Sequence, residues 1–222
     1  IGVAIGVQAS ELKRLEENND IEVFRREASS INFIAFNSSK APFNNLKLRQ
    51  AINTAINKDA IFKVVYQGTG AIATAPMSRV VWAYNDKLTP HEYNVEQAKA
   101  LLAEAGYPDG LTITMTVDQD QARLDTAEMI QAQLANIGVK VNIEPLERGA
   151  FIDRVIDGSL DMFGLGWSSD TGDPDYALYA LLHSSMHGAG GNMGFYTNKE
   201  VDRLLELGRV STDAETRKNA YL

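Results

Sequence analysis

Residues 111–117, LTITMTV, alternate Leu, Ile, Met and Val with three threonines, the period-two pattern of a strand with one apolar and one hydroxylated face. Leu124, Ala127, Ile130 and Leu134 then recur at helical spacing until Gly138, and Val139, Val141 and Ile143 alternate again. Strand, helix and strand in that order point to an open α/β sheet. Upstream, the turn Tyr107-Pro108-Asp109-Gly110 is preceded by a helix that opens on Asn94 with Gln97 and carries Val95, Ala98, Leu101, Leu102 and Ala105 on one face. Downstream, Phe151, Ile152, Val155 and Ile156 predict a helix before Gly158, and Leu160 to Trp167 a buried strand that runs into the loop Ser168 to Asp175.

The flanks follow the same grammar. IGVAIGV at 1–7 reads as a short strand, and Ser10 as the cap of a helix running to about Glu17. Ile21 and Val23 predict a strand, as does INFIAFN at 31–37, whose two apolar faces suit a buried position. Leu48, Ala51, Ile52, Ala55 and Ile56 share a helical face, and a second helix is expected from Lys58 to Tyr66. Residues 69–93 have little periodicity and read as a long connection that wraps a surface or lines a site. A helix is expected at 176–185, and two more open on Thr197 with Glu200 and on Thr212 with Glu215.

Composition excludes several classes. With 29 acidic and 21 basic residues the net charge is −8, and no basic run exceeds Arg25-Arg26, which argues against nucleic acid as a partner. A hydrophobic share of 45% is too high for a disordered chain. The absence of cysteine removes disulfides, thiolate metal sites and thiol nucleophiles. No apolar run approaches the roughly 18 residues of a membrane helix. The sequence begins at Ile1 without a signal region and stops inside an expected helix, and so reads as a piece of a longer chain.

Four constellations invite chemistry. The stretch Gly188 to Gly194 lacks the Lys-Ser/Thr of a phosphate-cradling loop and reads as a mobile loop. His183 and His187 lie four apart without a visible third metal ligand, and His91 stands alone in a loop. Ser168 and Ser169 with Asp170 and the histidines supply the residue types of a serine hydrolase, but Asp170 stands where a nucleophile elbow needs glycine. Asp170, Asp173 and Asp175 resemble a calcium loop only in density, since Pro174 interrupts them. The segment Gly166-Trp167-Ser168-Ser169-Asp170-Thr171 has a fifth reading. It brings an aromatic ring, hydroxyls and a carboxylate to the carboxyl end of a buried strand, where open α/β sheets hold ligands and where a carboxylate suits an ammonium group. The alternative, that Asp170 to Asp175 merely turn the chain into the next helix, stands level with it.

An ordered series of segments resembles the extracytoplasmic solute-binding proteins of peptide ABC transporters, of the dipeptide- and oligopeptide-binding type. It consists of Asn32 to Asn37, Ala41-Pro42-Phe43 with Leu48 to Ile52 and Ala55 to Lys58, Val65 to Gly70, Tyr93 to Tyr107, Leu134 to Val141, and Gly166-Trp167 with Gly172-Asp173-Pro174-Asp175. The resemblance implies a mixed α/β fold of the type II periplasmic-binding-protein-like class, with residues 1–37 a partial first-lobe segment carrying a hinge strand at Asn37 and residues 38–222 the second, carboxy-terminal ligand-binding lobe. It implies a non-enzymatic receptor, monomeric and outside the cytoplasm (periplasmic or a surface lipoprotein), that hands a peptide to a membrane permease. Asp170 would pair with the peptide's ammonium, Gly166, Trp167, Ser168, Ser169 and Thr171 would line the ligand, and Arg123, at an uncertain offset, is the candidate carboxylate clamp. Relatives taking glutathione, nickel chelates or haem share these landmarks and keep other solutes open.

Overall fold

The computed structural model describes residues 2–4, 7 and 9–222. The chain runs α1 (Ala9–Glu16), β1 (Ser30–Phe36), α2 (Leu46–Ala55), α3 (Lys58–Val64), α4 (Val95–Glu104), β2 (Leu111–Asp118), α5 (Gln121–Ala135), β3 (Val139–Leu146), α6 (Arg148–Ile156), β4 (Met162–Ser168), α7 (Ala180–Leu182), α8 (Lys199–Val210) and α9 (Ala214–Tyr221). A π-helical turn, Asp175–Tyr179, leads into α7. The expected strand-helix-strand unit is β2-α5-β3, and β2 and β3 pair in parallel with Leu111 opposite Val139. The sheet order is β1-β4-β2-β3, with β4 parallel to β2 and antiparallel to β1.

Apolar side chains of β2 decide which layer lies where. Ile113, Met115 and Val117 face a core shared with Leu48 and Ile52 of α2, Ala98 and Leu102 of α4, and Ala127, Ile130 and Leu134 of α5. On the opposite face, Phe151 and Val155 of α6 pack with Phe163 and Leu165 of β4 and with Phe33 and Ala35 of β1. Both faces of β1 are therefore covered although it is an edge strand. The hydroxylated face of β2 is not uniformly wet: Thr116 is buried and donates to Glu144 Oε2 (3.0 Å), because the end of β2 passes beneath α6. A third cluster joins Met77 and Val81 of the long connection to Ala177, Leu178, Leu205 and Tyr221, with Trp167 packed against it. The connection thus wraps a surface, as its aperiodic sequence predicts.

Several expected boundaries move. The strand expected at 1–7 falls partly on residues 1, 5 and 6, outside the described residues, and residues 2–4 and 7 carry no regular structure. Ser10 is the second residue of α1 rather than its cap. No strand forms at Ile21–Val23; Ile21 is exposed and no described strand pairs with the segment, so alternation there finds no sheet to join. The caps of α8 and α9 are Asn198 and Asp213, one residue after the threonines expected to serve. Their carbonyl-bearing side chains accept from the free amides of the first turn, Glu200 and Val201 in one case and Thr216 in the other.

Candidate ligand-binding site

Along β4 the two faces separate by the period of two. Gly166 and Ser168 lie on one face and Trp167 on the other, against the third cluster and 5.9 Å from the ring of Tyr176. β4 is paired along its whole length with β1, from Phe36 opposite Met162 to Ser30 opposite Ser168. Its pairing with β2 stops at Thr116 opposite Phe163. Beyond that point β2 and β4 fork, and among the described residues the β2-facing backbone of residues 164–168 has no strand partner. Extended backbone of a ligand is the natural complement of such an edge.

Arg123 closes the fork from the side of α5. Asp120 caps that helix by accepting from Arg123 N (3.1 Å), and the Arg123 side chain reaches back to the end of β2. Its Nη1 donates to Asp118 Oδ2 (2.5 Å), and its Nη2 lies 3.6 Å from where a Cβ on Gly166 would stand. That same Cβ would lie 2.8 Å from Asn32 Oδ1 and 3.2 Å from Ile31 O, so only glycine lets these groups approach. Arg148, at the start of α6, also donates to Asp118 Oδ2. Asp118 is 6% exposed, and its Oδ1 has no partner among the described residues. Burial pushes this carboxyl up, but the hydrogen bonds from Arg148 and Arg123 together outweigh it and hold the group below its ordinary value. Arg123, Arg148 and Asp118 together carry one net positive charge, a group suited to an anionic partner.

The turn after β4 carries the opposite charge. Ser169 N donates to Ser29 O (3.0 Å) and Gly172 N donates to Ser169 O (3.0 Å), which leaves Asp170 and Thr171 exposed at the tip. Ser168 Oγ donates to Asp170 Oδ1 at 2.5 Å. Trp167 Nε1 is buried without a hydrogen-bond partner among the described residues. Of the residues singled out from sequence, Gly166 and Arg123 meet, Ser168 and Asp170 meet, Ser169 is buried behind the turn, and Trp167 faces away from Gly166. Asp118 and Arg148 escaped the sequence reading. A carboxylate directly after the apolar run LTITMTV, at the mouth of the sheet, was the available signal.

The competing constellations resolve into structure. His183 is buried against Tyr179, with ring centroids 4.2 Å apart, and its nitrogens meet Ser185 Oγ (2.8 Å) and Glu206 Oε1 (3.3 Å). His187 Nε2 meets Tyr196 O at 2.9 Å, so neither histidine is bonded to Ser168 or Ser169. The glycine-rich stretch packs around Asn192, which is fully buried and bonded to His183 O, Tyr196 O and Tyr196 N, so it is anchored rather than loose. The carboxylates of Asp173 and Asp175 face Arg217 and Arg209 instead of gathering round a cation.

Residues 1–188 match the family model described as "Bacterial extracellular solute-binding proteins, family 5 Middle". The chain belongs to this family. Among curated relatives of this family 5 chain, heme-binding protein A of Haemophilus influenzae is 38% identical over 96% of the chain and 40% of its own length. The dipeptide-binding protein of Escherichia coli is 32% identical over 96% of the chain and 41% of its own length. Among solved structures, the ABC transporter-associated periplasmic binding protein DppA of Helicobacter pylori, in complex with peptide STSA, superposes with a TM-score of 0.93 at 34% identity, over 98% of this chain and 43% of that one. The family 5 chain thus spans about two-fifths of the length of these relatives. The fold is that of one part of a type II periplasmic binding protein, and family members are solute-binding proteins that work outside the cytoplasm. Among the described residues, no helix is long and apolar enough to cross a membrane.

Proposed function

We propose that the chain forms the second ligand-binding lobe of a peptide receptor that delivers its cargo to an ABC permease and catalyses nothing itself. The observation that carries this reading is the fork between β2 and β4. An unpaired strand edge there is flanked on one side by the net positive group of Arg123, Arg148 and Asp118, and is followed in the chain by the exposed carboxylate of Asp170. A short peptide carries the complement: an ammonium for Asp170, a backbone for residues 164–168, and a carboxylate for the arginines. Ser168 and Thr171 add hydroxyls near the ammonium end, Ser169 fixes the turn from behind, and Trp167 forms a wall on the far side of the strand. Residues 1–37 carry the link to a first lobe, and the crossing lies ahead of β1, because Ser30–Phe36 already pair with β4 of this lobe and Asn37 is bonded inside it, its Nδ2 donating to Gly158 O (2.8 Å) and its backbone N to Asp161 O (2.8 Å). The receptor acts as a monomer outside the cytoplasm, held as a lipoprotein or free in the periplasm.

The test is Asp170→Asn in the complete protein, with affinity measured for a pool of peptides of two to five residues with free amino termini. Removal of the charged acceptor lowers affinity about tenfold or more. Equal affinity of the two proteins removes Asp170 from the site. The relative named for haem binding favours a second reading, a receptor of the same class for a different solute. Mass spectrometry of small molecules that co-purify with the complete protein separates the two: mixed peptides support the first, a single defined compound or haem the second.

A further inference from the structure

The tip carrying Asp170 is short, exposed and polar, yet its base is gripped from three elements distant in sequence. Trp82 N, in the long connection, donates to Gly172 O at 3.0 Å. Arg217, on α9, donates through Nη2 to both Asp173 oxygens at 3.0 Å, and its Nε donates to Gly208 O at 2.8 Å. The guanidinium lies 5.2 Å from the centre of the Trp82 ring, so the two clamps brace each other. Arg209 of α8 approaches Asp175 at 3.6 Å. Asp173 passes the constraint along the turn, since its Oδ1 also accepts from Asp175 N (3.0 Å) and its N donates to Thr171 Oγ1 (3.2 Å). The Arg217 side chain is only 25% exposed, and neighbouring acceptors fix it on two sides.

We propose that Arg217 is a positioning residue for the ligand anchor: through Asp173 it holds the turn Ser169–Gly172 in the conformation that presents the Asp170 carboxylate to a cationic amine. This rests on the peptide-receptor reading above and extends it, because Arg217 lies 47 residues beyond Asp170 in the chain (217 − 170) and touches no part of the fork. An anchor on a loose turn would lose orientation at each encounter, whereas a braced one meets its ligand already ordered.

The complete protein is the test material, with two pools of peptides of two to five residues, one with free amino termini and one N-acetylated. Arg217→Ala weakens binding of the free-amine pool about three- to tenfold and leaves the acetylated pool unchanged. Arg217→Lys, which keeps one charged contact to Asp173, recovers part of the loss. In the Asp170→Asn background Arg217→Ala costs nothing further, a non-additivity that general destabilisation would not produce. Equal losses for both pools, or losses that multiply in the double variant, overturn the proposal, as does an Arg217→Ala protein that binds like the unmutated one while Asp170→Asn weakens binding. If Asp170→Asn itself has no effect, or the unmutated protein binds neither pool, the peptide-receptor reading fails, and this inference fails with it.

Discussion

Asp118 carries more electrostatic weight than its single charge suggests, because two arginines from different helices converge on one of its oxygens. Its folded pKa lies below the ordinary carboxylate value, so the stabilisation it gives is complete above about pH 4 and is lost as pH falls through the folded pKa. Glu144 behaves alike, held low first by its hydrogen bond from Arg154 and then by that from Thr116. Urea midpoints of the complete protein are therefore expected to hold down to about pH 4 and to drop as pH falls further, and to drop less in Asp118→Asn. At pH 7 the same substitution costs about 1–3 kcal/mol, since it leaves two guanidinium groups facing a neutral amide. A steeper acid loss in the variant than in the unmutated protein would contradict this assignment. Gly166 belongs to the same scale: a methyl there would press on Asn32 and on the Ile31 carbonyl, so the glycine marks a contact between strands rather than a flexible point.

Among elements, α8 and α9 form a pair whose spacing depends on one residue. A Cβ on Gly208 would stand 2.5 Å from the Tyr221 ring. Alanine is the better helix former by up to about 1 kcal/mol, but overpacking costs about 1–3 kcal/mol, and here the ring has Leu205 and Met77 behind it. Gly208→Ala is expected to lower the thermal midpoint, and, by shifting the carbonyl that receives Arg217 Nε, to mimic in part the binding loss of Arg217→Ala. A variant with a raised midpoint and unchanged binding would show that α9 adjusts freely. Elements with strong local signals were legible before any coordinates: the helices 95–104 and 121–135 and the strands at 111 and 139 follow from periodicity and caps alone. What escaped was long-range. Ile21 and Val23 alternate like a strand but find no described partner, and Arg217 and Asp173 are 44 positions apart with nothing in either neighbourhood to announce the pair. Likewise Asp170 was visible as a carboxylate at a strand end, while the pairing of Arg123 and Arg148 through Asp118 depends on how two helices meet the sheet.

At the scale of the whole molecule, the proposed peptide receptor needs an opposing wall, and on that proposal occupancy is reported by closure of the two lobes. Small-angle scattering of the complete protein is expected to show a smaller radius of gyration on addition of the free-amine peptide pool, with no such change in Asp170→Asn at the same concentration. Contraction of equal size in both would place the trigger for closure elsewhere in the cleft. The long connection at 69–93 then has a double position, since Met77 and Val81 pack in the third cluster while Trp82 N holds the turn that carries Asp170.

The fork between β2 and β4 also settles a problem of self-association. Free strand edges on the rim of a sheet invite copies of the same protein to stack edge to edge. Residues 164–168 form such an edge, yet β2 lies alongside its start at Phe163 and the Arg123 guanidinium approaches it at Gly166. Five residues of extended chain span about 17 Å, which admits a loose segment and turns away a strand already embedded in a folded neighbour. On the peptide-receptor proposal, the site would screen its visitors by whether they are folded before it screens them by sequence.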